Sequence, residues 1–293
     1  MTKLRIGVLG CANIAKRSVV PAILSIPEYD LIAVASRTKE KAEECASLFN
    51  CDAVIGYQEL IDRTDIDAIY MPLPTGLHEE WVLKALEGGK HILIEKSLAM
   101  NYDSAKKMVN AAKDKDLLIM ENFMFLYHGQ HQFVKNLISE GKIGDIRGFR
   151  SSFGFPPLDK ANFRYNKDLG GGSLLDAAAY TVRASQLFLG DELNVKAASL
   201  NYNDSEVDIY GGAYLKNDLG AFAEVAFGFD NFYQCNYEIW GSKGKITAQR
   251  AFTPGADFKP TITLEIQGET LDYKMDEENH FVNLLVEFRR CVL

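Results

Sequence analysis

The stretch His91-Ile92-Leu93-Ile94-Glu95-Lys96 decides how this chain is read. Its apolar centre is too short for a helix. Glu87-Gly88-Gly89 precedes it and a helix-like pattern opens at Tyr102, so it reads as a buried parallel strand that delivers charged residues to the C-terminal edge of a sheet. Ligands of open α/β sheets bind at that edge. A lysine there can polarise a carbonyl or hold a cofactor ribose. Taken alone, a Glu-Lys pair at a strand end reads better as solvated surface, and the neighbouring segments reverse that.

Outward from this strand, β-rich runs at 4–9, 31–35, 68–71, 92–95 and 117–120 alternate with helical patterns opening near 13, 39, 77 and 102. Such alternation predicts βαβ units and a parallel sheet. Beyond His131 the rhythm changes. A helix at 131–140 leads to a run at 146–155, a Pro156-Pro157 loop and a helix at 173–189, and then to long strand-like runs at 193–202, 207–216, 219–228 and 232–241. In the last run Tyr233, Cys235, Tyr237 and Ile239 point one way, and Gln234, Asn236 and Glu238 the other, the two-faced pattern of an antiparallel sheet. The expected fold is α/β: a Rossmann dinucleotide-binding domain over 1–122, then an α+β substrate-binding and oligomerisation domain over 123–293 with a large open, mostly antiparallel sheet. An open sheet with a half-apolar outer face predicts a homodimer or homotetramer formed through it.

The 293 residues suit two domains, and 47% hydrophobic with 25% charged residues is the balance of an ordinary globular protein. A net charge of −8 offers no global field for a polyanion, which argues against nucleic acid. Five cysteines without a CxxC pair fit a reducing cytoplasm. Lys3 and Arg5 ahead of an apolar stretch imitate a secretory leader, but two glycines and Lys16-Arg17 interrupt it, and it reads as a strand. No run approaches the ~18 apolar residues of a membrane span. His128 and His131 lack a third ligand at supporting spacing, so no metal is expected.

The first βα turn, Gly7-Val8-Leu9-Gly10-Cys11-Ala12-Asn13-Ile14, is a degenerate G-x-G-x-x-G in which Ala12 stands for the second glycine. A small-residue turn lets a pyrophosphate approach free amides at a helix start. The second strand ends Ser36-Arg37-Thr38 with no acidic residue to hold ribose hydroxyls. Ser36 and the forked donors of Arg37 suit a 2′-phosphate instead, so NADP(H) is expected ahead of NAD(H); the rival reading has Ser36 and Thr38 capping the next helix. Further on, Gly170-Gly171-Gly172 precedes a helix bearing Asp176 and Tyr180 at i and i+4, with Ser173 a candidate N-cap. A tyrosine near a cation is a reasonable proton donor. It is equally a core tyrosine, and Asp176 equally serves a capping box with Ser173.

Together, Gly10 with its turn, Pro72-Leu73-Pro74-Thr75 followed by His78, Glu95-Lys96, and Gly170 to Asp176 followed by Tyr180 resemble the glucose-fructose oxidoreductase / inositol dehydrogenase (Gfo/Idh/MocA) family over nearly the whole chain. Asn162-Phe163-Arg164-Tyr165, Tyr180-Thr181-Val182-Arg183-Ala184 and Arg250-Ala251-Phe252-Thr253-Pro254 look most like its nucleotide-sugar 3-ketoreductases. NADP-dependent xylose and dihydrodiol dehydrogenases are similar in pattern. The resemblance implies hydride transfer between NADP(H) and a ketone or alcohol carbon of a sugar or nucleotide sugar. It implies Lys96, Asp176 and Tyr180 as catalytic residues, and Gly10, Ala12, Asn13, Ile14, Ser36, Arg37, Leu73, Pro74, Thr75, His78, Glu95 and Lys96 around the cofactor. Arg164, Tyr165 and Tyr233 are the expected substrate contacts. Ser97 stands where the family has proline, and Leu126 and Gly129 replace a common arginine and proline. Such departures leave a second class open, a non-catalytic regulator that keeps the dinucleotide fold.

Overall fold

Leu4, Ile6, Val8 and Leu9 of the first strand, β1 (Leu4–Leu9), are at 1% exposure or less, burial on both faces that a sheet flanked by helices provides. In the computed structural model, which describes residues 3–293, a π-helical turn (Ala15–Val19) follows and runs into α1 (Val20–Ser25). Next come β2 (Tyr29–Ser36), α2 (Lys39–Phe49), β3 (Asp52–Ile55), α3 (Tyr57–Ile61), β4 (Ala68–Met71), α4 (His78–Glu87), β5 (His91–Ile94), α5 (Tyr102–Asp114) and β6 (Ile119–Glu121). The six strands pair in parallel in the order β3-β2-β1-β4-β5-β6. Strand order therefore reverses between β1 and β4, the switch point whose crevice binds dinucleotides in this topology. The parallel sheet expected from the sequence is present, with β3 and α3 added.

The chain continues through α6 (Gly129–Ser139), β7 (Ile146–Gly154), α7 (Ser173–Asp176), α8 (Ala178–Leu189), β8 (Asn194–Asn201), β9 (Tyr210–Lys216), β10 (Phe222–Gly228), β11 (Gln234–Gly241), β12 (Gly244–Gln249), β13 (Thr261–Ile266), β14 (Glu269–Lys274) and α9 (His280–Val292). Strands β7 to β14 form one sheet, ordered β14-β13-β12-β11-β7-β10-β9-β8. Only β7 and β10 run parallel; the other pairs are antiparallel. Its inner face carries Phe149, Phe153, Val225, Phe227, Tyr237, Ile239, Ile246, Ile262 and Leu264, all buried, and α8 packs on β7 and β10. The alternation read in β11 is present: Cys235, Tyr237 and Ile239 are buried, while Gln234 and Trp240 on the other face are exposed.

The chain divides into two compact units, Met1–Met124 with Phe281–Leu293, and Phe125–His280. The C-terminal helix thus returns to the dinucleotide unit instead of closing the second one. Leu284, Leu285 and Phe288 form its buried stripe, and the Tyr29 hydroxyl donates to the Leu285 carbonyl at 2.7 Å. The single helix expected at 173–189 is two, α7 and α8, broken at Ala177. No helix among the described residues is long and apolar enough to cross a membrane.

Candidate active site

In the first unit the site is built on the turn after β1. Gly10 has φ of +123°, a region an L side chain rarely adopts, and a Cβ there would come within 3.0 Å of Leu73 Cδ2. The bare backbone at Gly10 is a cradle that a side chain would fill, which is what a bound pyrophosphate requires. Ala12, Asn13 and Ile14 follow, with Asn13 exposed and the Lys16 amide bonded to the Ala12 carbonyl at 3.1 Å, where the helix begins. Ser36 is buried at the end of β2 and Arg37 is exposed, its charge beside the Tyr57 hydroxyl. Thr38 occupies the N-cap position of α2 without a side-chain capping bond, so the capping alternative has no support from Thr38. The residues present fit an NADP molecule at this edge.

After β4, Leu73 is buried, and Pro74 and Thr75 are half-buried. His78, expected at the cofactor, is fully buried. Its Nε2 lies 2.8 Å from the Leu73 carbonyl and its Nδ1 3.1 Å from that of Leu98. Through its two ring nitrogens His78 braces the loops of Leu73 and Leu98, and burial lowers its pKa. After β5, Glu95 Oε1 accepts from the Tyr70 hydroxyl at 2.6 Å and from Asn122 Nδ2 at 2.5 Å. Desolvation holds the Glu95 carboxyl above the ordinary carboxylate range, against the pull of those two donors and of the Lys96 charge. Lys96 is half-buried, and the Lys96–Ser97 peptide is cis.

In the second unit, Gly171 packs so tightly that a Cβ would lie 2.4 Å from the Arg164 carbonyl, and Gly172 has φ of +110°. Only glycine fits this approach. Gly172, not Ser173, is the N-cap of α7. Ser173 Oγ donates to Asp208 Oδ2 at 2.6 Å, and the same oxygen accepts the Leu174 amide at 2.7 Å. Asp208 therefore supplies the cap, 35 residues from its partner in sequence. Asp176 is consequently not part of a capping box. Its Oδ2 accepts from Arg164 Nε at 2.8 Å, which brings together an expected catalytic and an expected substrate residue.

Tyr180 is 7% exposed, its ring packed against Phe153, Phe252 and Phe125 at centroid distances of 4.8, 5.8 and 5.9 Å. Tyr165 is tied locally, its hydroxyl accepting the Leu158 amide at 3.0 Å. The Tyr233 hydroxyl accepts from Arg250 Nη1 at 2.7 Å, and the exposed Arg250 guanidinium lies 4.7 Å from the Tyr233 ring and 5.8 Å from the Phe258 ring. Arg250 opens one of the stretches that carry the resemblance, but its place between two aromatic rings is not expressed in the local sequence; residue 250 is a non-glycine at φ of +54°. His131 contacts the Tyr237 hydroxyl and the Ala251 carbonyl, and the His128 Nδ1 lies 3.3 Å from Glu278 Oε2.

The chain matches an oxidoreductase family with an NAD-binding Rossmann fold over residues 4–123, and the GFO/IDH/MocA C-terminal domain over residues 131–247. It is 43% identical to a dTDP-3,4-didehydro-2,6-dideoxy-α-D-glucose 3-reductase of Saccharopolyspora spinosa, over 98% of this chain and 87% of that one. A D-xylose 1-dehydrogenase (NADP(+)) of Haloferax volcanii is 31% identical over 98% and 88%. Among solved structures, a 3-ketoreductase from Actinomadura kijaniata in complex with NADP and TDP-benzene superposes with a TM-score of 0.97 at 39% identity, covering 99% of this chain and 90% of that one. A parallel sheet with its reversal at β1 and β4, a bare-backbone turn at Gly10 and a match over both domains lead to one conclusion: the chain belongs to the GFO/IDH/MocA oxidoreductase family.

Proposed function

We propose that the chain is an NADP-dependent reductase acting on the 3-keto group of a dTDP-linked deoxyhexose. The observation that carries this reading is the match, over 98% of the chain, to a 3-reductase of that substrate class at 43% identity. NADPH, when bound, supplies the hydride. Gly10, Ala12, Asn13 and Ile14 would receive its pyrophosphate, Ser36 and Arg37 its 2′-phosphate, and Leu73, Pro74, Thr75 and Glu95 would line the rest of its site. Tyr180 donates a proton to the carbonyl oxygen as the carbon is reduced. Lys96 stabilises the developing alkoxide and holds the cofactor ribose. Asp176, oriented by Arg164, aligns a sugar hydroxyl. The exposed guanidinium of Arg250 between Tyr233 and Phe258 suits the charge and stacking needs of a nucleoside diphosphate, and Tyr165 completes the substrate contacts. The assembly is a homodimer or homotetramer formed through the eight-stranded sheet.

Turnover is tested by NADPH consumption with a dTDP-linked 3-keto-deoxyhexose beside free aldoses and their ketones. Consumption with the nucleotide-linked ketone is expected, whereas binding without turnover on every substrate would support a regulator instead. Cofactor choice is tested by calorimetry. NADPH should bind more tightly than NADH, and Arg37→Ala should weaken NADPH by about ten- to a hundredfold, since a charge-assisted contact is worth about 1.5 to 3 kcal/mol. Equal affinities, or an unchanged constant in the variant, would refute the role of Arg37.

A further inference from the structure

Lys96 stands on a loop that is pinned on both sides by residues of its own unit. On one side, the Glu95 carboxylate is held by Tyr70 and Asn122. On the other, both polar groups of the Leu98 backbone are engaged: its amide donates to Glu121 Oε1 at 2.8 Å, and its carbonyl lies 3.1 Å from His78 Nδ1. The second nitrogen of the same buried ring, at 2.8 Å from the Leu73 carbonyl, ties this loop to the one that follows β4. A neutral imidazole donates one proton only, so one of these contacts is a donated bond and the other a close polar contact; in either case the ring spans the two loops. His78 opens α4 and Glu121 closes β6, so the loop is held from rigid elements, and a lysine set between two such anchors loses the freedom that a solvated strand end would give it.

We propose that His78 and Glu121 are positioning residues for Lys96, acting through the two sides of the Leu98 backbone. This rests on the reading of Lys96 as a catalytic residue. A reacting group displaced by about 1 Å costs up to a hundredfold in rate, so a loosened loop should be visible in turnover while the sheet beneath stays intact.

The test is a double-mutant cycle on the full chain with the active substrate. His78→Ala and Glu121→Ala should each lower kcat by about ten- to a hundredfold. Glu121→Gln, which retains a carbonyl oxygen to accept the Leu98 amide, should keep most of the rate. In the Lys96→Ala background, where no lysine remains to be positioned, the same substitutions should change the residual rate less than about twofold, because residues acting through one group are non-additive. Equal losses in both backgrounds, or no loss in either, overturn the positioning role and leave the assignment of Lys96 standing. Full rate in Lys96→Ala overturns both readings together. Should His78→Ala fail to fold, the Glu121 pair carries the test alone, since Glu121 is only half-buried.

Discussion

Tyr180 presents its ring to Phe125, Phe153 and Phe252, so Tyr180→Phe keeps the ring packing and removes only the hydroxyl. That separates chemistry from folding. A positioned proton donor contributes about 10² to 10⁴ in rate; the variant should lose turnover within that range while calorimetry finds NADPH affinity and melting temperature nearly unchanged. Full turnover on an active substrate would return Tyr180 to a packing role. At this scale the sequence named chemical types better than contacts. The motifs point to Asp176 and Arg164 separately, yet their 2.8 Å pairing joins segments 12 residues apart across a glycine turn, which no local pattern expresses. Asp208 carries no local signal because its role as a cap arises from a contact 35 residues distant. For His78 the motif fixes a place at a helix start and not the direction of the ring, whose nitrogens meet two backbone carbonyls.

Among the elements, periodicity was legible wherever one face is buried. Register in the second sheet aligns Trp240 with Gly148, Gly148 with Phe222, Glu238 with Arg150 and Arg150 with Glu224, so these residues share its outer face. Arg150 joins Glu224 and Glu238 there, at 2.7 and 3.3 Å, and lies 5.7 Å from the Trp240 ring. Tyr214 stacks on Phe222 at 5.5 Å beside them. Apolar rings interleaved with mutually satisfied charges make a face that a second copy can cover without burying an unpaired ion. Light scattering at micromolar concentration should therefore give two or four times the monomer mass, and the pair Phe222→Glu with Trp240→Glu should give monomers with an unchanged melting profile. A wild-type monomer would contradict this face as an interface. The strands that escaped the sequence reading, β3 and β12 to β14, are short, and β3 and β14 have polar or exposed residues at most positions, as sheet edges do. The parallel pairing of β7 with β10 joins strands 74 residues apart, an order set by packing rather than by local pattern.

For the whole molecule, all five histidines are held below the ordinary imidazole range. Burial is the leading cause for each, and it pushes His131 and His280 to about 3. Glu278 beside His128 opposes the shift there, whereas His128 reinforces it at His131 and His280. A folded state that binds protons less readily than the unfolded one is most stable above the unfolded pKa, about 6.5, and loses that stability as pH falls. At pH 5 each of His131 and His280 should cost about 2 kcal/mol. Glu95, raised by desolvation, works in the opposite sense. Urea unfolding should therefore report a clear loss of stability between pH 7.5 and pH 5; a flat profile would mean that these rings meet solvent. The parallel sheet and the change to an antiparallel one were readable from periodicity alone, whereas the return of α9 to the first unit was not: its stripe of Leu284, Leu285 and Phe288 announces burial without naming the surface it is buried against. The central claim, reduction of a keto carbon on a nucleotide-linked sugar at the expense of NADPH, is tested most directly by turnover with NADPH deuterated at the transferable position of nicotinamide carbon 4. The account predicts a product one mass unit heavier, with the deuterium on sugar carbon 3; NADPH left unconsumed, or a product without the label, would contradict it.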